Sequence, residues 1–173
     1  MPGAELQYRL EDKMEVEFDV KITSGALYDY LLSHTYHSMS GLLGTMVGAL
    51  LIVAFFMNMK PAFLIAGLVI ILYLPWTLFI RSKQQYMANE AFKKPLHYRL
   101  TDEGIEVSQD ETVQMQLWDD MYKAVSTSGS ILVYTNKINA CIFPKKDLGE
   151  KRAAVIEAIS IHMPPNKVKI RGN

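Results

Sequence analysis

GLLGTMVGALLIVAFFM (Gly41–Met57), NMK (Asn58–Lys60) and PAFLIAGLVIILYLPWTLFI (Pro61–Ile80) follow one another directly, and neither apolar run holds a charged residue. A helix rises about 1.5 Å per residue, so runs of roughly 17 to 20 residues span about 26–30 Å, the thickness of a bilayer's hydrocarbon. A soluble chain of 173 residues has too little other structure to wrap two helices that are apolar on every face. The reading is a transmembrane helical hairpin. Its short connector makes the helices antiparallel neighbours, and Pro61 suits a first turn, where its missing N–H would go unpaired anyway.

Charge around the hairpin sets its expected orientation. Arg81, Lys83, Lys93, Lys94 and Arg99 follow the second run, whereas the tip carries only Lys60. The positive-inside rule then places both termini in the cytoplasm, in a multi-pass protein of the inner (plasma) membrane. Tyr73 and Trp76 sit near the basic end, where amphipathic rings favour the headgroup level, and Pro75 is expected to bend the helix there. The apolar stretch begins too far along the chain, after too polar a segment, for a signal peptide.

Small residues recur at four-residue spacing: Ser40, Gly44 and Gly48 on the first helix, Ala62 and Ala66 on the second. Such stripes let backbones approach closely in lipid, where van der Waals contact replaces the hydrophobic drive. Two readings stay open, a homodimer face or the contact that packs the hairpin's own helices together.

The flanks have their own periodicities. Residues 1–40 read as N-terminal strands, from the alternation Leu6, Tyr8, Leu10 and then Met14, Val16, Phe18, Val20, Ile22, followed by a juxtamembrane helix capped at Thr23 or Ser24. Residues 41–80 form the hairpin, and 81–95 a helical extension stopped before Pro95. From Leu96 the pattern changes to short strands at His97–Leu100, Ile105–Ser108, Val113–Trp118, Ile131–Thr135 and Asn139–Phe143, an antiparallel meander separated by turn residues. Asp147–Ile161 reads as an amphipathic helix with Asp147 and Glu150 at capping-box spacing, ending the 96–163 domain, and 164–173 as a basic tail. The fold class is α+β, a two-helix membrane hairpin plus an antiparallel β domain capped by a C-terminal helix.

The stretch YRLTDEGIEVS…LWDDMYKAVSTSGSILVYTNKINACIFPKKDL, set behind an N-terminal strand, a helix and a membrane hairpin, resembles the YcxB-like family of bacterial membrane proteins. The resemblance implies a pleckstrin-homology-like domain, a strongly bent antiparallel sheet capped by a C-terminal helix, and no settled biochemical activity. Such a sheet needs more strands than can be read after residue 95. The N-terminal strands are therefore expected to join it, making the hairpin an insertion.

Catalytic signals are weak. Equal numbers of acidic and basic residues, 18 each, remove any bulk attraction to nucleic acid, and one cysteine excludes a disulfide framework. His34 and His37 lack a third metal ligand, Asp119 and Asp120 point to opposite faces if on a strand, and Cys141 and Trp118 read as core residues. No catalytic residue, metal or cofactor is expected. Lys145, Lys146, Lys151 and Arg152 form a basic cluster that suits lipid or partner contact. The expected role is a non-catalytic interaction or regulatory module with membrane lipid and a protein partner; the alternatives are anionic headgroup binding and an unrecognised membrane enzyme.

Overall fold

A computed structural model describes residues 15–170, so Leu6, Tyr8, Leu10 and Met14 of the expected first strands lie outside the described residues. The chain divides into two compact units, Thr23–Glu90 and Met1–Ile22 with Ala91–Asn173.

The first unit is helical. α1 (Ser24–Tyr36) is capped by Thr23, whose side chain accepts the Ala26 N–H at 3.2 Å. Ser38 caps α2 (Met39–Asn58) by accepting the Gly41 N–H. Met59, in the left-handed conformation at φ 53°, ends α2, and α3 (Pro61–Ala88) begins with proline in its first turn. Both α2 and α3 are long and apolar enough to cross a membrane, and only 11% of each is buried.

The helices of the hairpin meet at glycines. A Cβ on Gly67 would lie 2.8 Å from the Gly48 carbonyl oxygen, and one on Gly48 would lie 2.6 Å from Ile71 Cγ1, so both positions admit only hydrogen. Gly44 borders a small void of about 200 Å³ and has open space at its Cβ position. Ala62 and Ala66 are exposed, which corrects the reading that they pack the hairpin: the small residue of α3 at the crossing is Gly67. Ser40 lies in α2, with its side chain outside the described residues. The extension stops earlier than proline would require, because α3 ends at Ala88 with Asn89 in an extended conformation, and one 3₁₀ turn, Glu90–Phe92, follows.

The second unit holds two four-stranded sheets. β1 (Val16–Val20), β2 (Leu96–Leu100), β3 (Gly104–Gln109) and β4 (Thr112–Leu117) lie in sequence order in one antiparallel sheet. In the other, β5 (Lys123–Ser126), β6 (Ser130–Tyr134), β7 (Ala140–Pro144) and β8 (Val168–Lys169) are ordered β7-β6-β5-β8. β1 pairs with β2 from Val16↔Leu100 to Val20↔Leu96, so the chain leaves this unit after one strand and resumes in its neighbour. Alternation decides which side faces the core: Val16, Phe18 and Val20 are buried, Glu17 and Asp19 are not.

Three rings join the sheets. Phe18 and Phe143 meet edge to face at 5.1 Å, Tyr98 and Phe143 at 4.9 Å, and Phe18 stacks on Tyr98 at 5.7 Å. The predicted meander is thus two sheets, with β5 and β8 unforeseen. β8 runs parallel to β5 and lies in the segment expected to be a basic tail. The terminal helix is also divided. α4 (Lys145–Leu148) is separated from α5 (Arg152–His162) by a 3₁₀ turn starting at Gly149, where φ is +50°.

Two substitutions test the hairpin and core together. Gly67→Val should lower the thermal stability of the detergent-solubilised chain by several degrees, while Gly44→Ala should leave it unchanged or raise it. Phe18→Ala should destabilise the sheet unit by about 3–5 kcal/mol in denaturant titrations followed by tryptophan emission, against less than about 0.5 kcal/mol for the outward-facing Asp19→Ala.

Candidate functional site

The two edges of the first sheet are treated in opposite ways. Along β1, the Glu17 carbonyl accepts the Lys151 ammonium at 2.7 Å, and the Lys21 N–H just beyond the strand donates to Asp147 Oδ2 at 3.1 Å. Both side chains come from the segment after β7, so the C-terminal turns of the chain close this edge. Asp147 therefore serves the β1 edge, and a capping box with Glu150 is not formed.

β4 has no such cover. Among the described residues no strand lies on its outer side, and Thr112–Leu117 contains no charge and no proline. Val113, Met115 and Leu117 are 60%, 40% and 47% exposed. Register explains why. Met115 pairs with Glu106, Glu106 with Arg99, and Arg99 with Glu17; Val113 pairs with Ser108, Ser108 with His97, and His97 with Asp19. Residues opposite each other in a ladder share a face, so the apolar side chains of β4 extend the polar outer face rather than the core. Across β1–β3 that face is knitted by the Arg99–Glu106 ion pair at 2.8 Å and by His97 with Asp19 at 2.8 Å. The bond to Glu106 is the main cause that raises the Arg99 guanidinium above its ordinary value.

β4 is nevertheless held at both ends. At the β3–β4 turn Asp110, left-handed at φ 52°, pairs with Lys94 at 2.6 Å, and Gln109 Nε2 donates to the Ala91 carbonyl at 2.8 Å. At the other end Trp118 is buried, its indole N–H donating to the Thr101 carbonyl at 2.8 Å. The His162 ring stacks on Trp118 at 5.2 Å, with Nδ1 at 2.8 Å from the Ala158 carbonyl and Nε2 at 3.6 Å from Asp102 Oδ1. A strand pinned at its ends with a bare edge presents fixed N–H and C=O groups at low ordering cost.

The basic cluster is dispersed by its bonds. Lys145 donates to the Thr127 and Ser128 carbonyls and Lys151 to that of Glu17, while Arg152 Nε is buried and Lys146 is exposed. Lys167, from the expected tail, donates to the Met121 carbonyl at 2.9 Å. Sequence reasoning missed the β4 edge because V-Q-M-Q-L alternates as a half-buried strand does; the lack of any charge in an edge strand was the available signal. Among the described residues no three His, Cys, Asp or Glu gather to hold a metal. His37 instead sits at the end of α1, its Nδ1 at 2.7 Å from the Ser33 carbonyl.

Cys141 lies half-buried in β7, where desolvation pushes its thiol up to about 12 from 9.0. The folded chain keeps this proton where the unfolded chain begins to lose it, so the contribution to stability is whole below pH 9 and falls as pH rises toward 12. Cys141→Ala should flatten that alkaline decline in urea midpoints measured from pH 8 to 11. Native Cys141 should resist maleimide at pH 8 until the chain is unfolded.

No curated protein and no solved structure matches the chain. Residues 100–159, from the end of β2 into α5, match the family model described as YcxB-like protein. Over this strand-and-helix region the chain is similar to the YcxB-like family.

Proposed function

We propose that the protein is a non-catalytic interaction module, anchored in the inner membrane by α2 and α3, whose cytoplasmic pleckstrin-homology-like domain takes an extended segment of a partner protein beside β4. The observation that carries this reading is the uncharged outer edge of β4, with Val113, Met115 and Leu117 exposed next to it. An added strand would pair with the free backbone groups and lay alternate apolar side chains on the same face as these three. The closed β1 edge limits addition to one side.

Anchoring draws support from the length of α2 and α3 and from how little of either is buried, since a core helix of a soluble protein is mostly covered. The basic residues after Ile80 support cytoplasmic termini. A four-stranded antiparallel sheet, three further antiparallel strands and a C-terminal helix support the pleckstrin-like assignment. Headgroup binding through Lys145, Lys146, Lys151 and Arg152 has less support, because two of these ammonium groups are held on backbone carbonyls.

A photo-crosslinking residue at Gln114 in cells, compared with one at Glu157 on α5, tests the module. Adducts at Gln114 should map to one short segment of a partner and disappear when Val113→Lys and Leu117→Lys are added, with the membrane fraction unchanged. Equal labelling at both positions would exclude the edge as the binding surface. Cysteines placed at Lys60 should react with an impermeant thiol reagent outside intact cells, and ones at Asp102 should not. The reverse pattern would invert the topology.

A further inference from the structure

Within the helical unit a cleft of about 550 Å³ is lined by Tyr28 of α1 and by Leu72, Tyr73, Pro75, Trp76 and Phe79 of α3. Its walls are almost wholly apolar. Phe79 anchors the cleft: the Tyr28 ring meets it edge to face at 5.9 Å, and the Lys83 ammonium lies 4.5 Å from its ring centre. Trp76, Phe79 and Lys83 follow one another at three- and four-residue spacing, so they stand in line on one side of α3. Arg81, two residues from Phe79, is turned to another side. The cleft therefore has an aromatic body, with the Lys83 ammonium beside its Phe79 wall.

We infer that this cleft is a binding site for one anionic glycerophospholipid, whose acyl chain lies among Tyr28, Trp76 and Phe79 and whose phosphate meets Lys83. The inference rests on the reading that α3 spans the bilayer. Three features select this occupant. The apolar walls exclude a free phosphate or nucleotide as the principal ligand. Tyr73 and Trp76, 66% exposed each, have the amphipathic character of side chains at headgroup level, where an acyl chain and a charge are presented together. The positive end suits a net negative headgroup in place of a zwitterionic one, whose own ammonium would meet Lys83 with like charge.

Trp76 is a built-in reporter. The full chain would be reconstituted into mixed bilayers of phosphatidylglycerol and phosphatidylcholine, with bromines carried on the acyl chains of one lipid or the other. Trp118 supplies a background that is measured in Trp76→Phe. Trp76 should be quenched in excess when the bromines are on the anionic lipid, corresponding to about fivefold preference at the site. Lys83→Gln should abolish the preference, Lys83→Arg should keep it, and Arg81→Gln should leave it intact. Equal quenching by the two lipids, or equal loss with Arg81→Gln and Lys83→Gln, would overturn the site and leave only general attraction to an anionic surface. No quenching by either brominated lipid would overturn the spanning reading itself, and the site with it.

Discussion

The ladder between β1 and β2 is the constraint on which the sheet unit depends. Five register pairs, Val16↔Leu100 to Val20↔Leu96, join two strands separated by the whole helical unit. Their alternation places Phe18 beside Tyr98, and these two rings receive Phe143 from the opposite sheet. Removing β1 would strip one face from that aromatic contact and bare the backbone of β2. The entropy of closing so long an excursion grows only logarithmically with its length, so the insertion is tolerable once the ladder and its core contacts have formed. The C-terminal turns then add a second tie, because Asp147 and Lys151 bind backbone at and beside the outer edge of β1.

The same sheet ends in two different surfaces. At β1 backbone groups are taken up by side chains from within the chain; at β4 they face outward beside three exposed apolar residues. Edge strands that are neither charged nor covered invite pairing with another chain. The proposed addition of a partner strand rests on this contrast within one sheet. Fixing the strand at Asp110 and at Trp118 would reduce the freedom lost on the proposed addition of a partner strand.

Much of this was legible in the chain itself, and the exceptions have physical causes. Runs without a charge from Gly41 to Met57 and Pro61 to Ile80 marked the two long helices, because burial or lipid is the only environment that favours so many apolar side chains together. The Val16–Val20 alternation and the turn chemistry after Leu100 marked strands through local periodicity. β5 was missed because Lys123–Ser126 is short and follows a 3₁₀ turn, and β8 because two residues carry no period at all. The divided terminal helix turned on one glycine with positive φ, which a helical periodicity does not display. The fates of Lys145, Lys151 and Lys167 were invisible for a further reason. Their acceptors are main-chain carbonyls far away in sequence, and a carbonyl leaves no trace in residue identity. For the candidate site, the β4 residues were read as a strand, but only register reveals that its apolar side joins the polar face.

The position of β1 ahead of the helical unit also orders events during synthesis. Val20 leaves the ribosome long before Leu96, and at roughly 5–20 residues per second the interval is about four to fifteen seconds. Throughout that time β2, the partner of β1 among the described residues, has not been made, and the helices of residues 24–88 emerge first. The sheet unit is therefore completed only after translation of the hairpin. A nascent chain that stalls within α2 or α3 therefore carries the core-facing Val16, Phe18 and Val20 of β1 before the strand that pairs with them has been made.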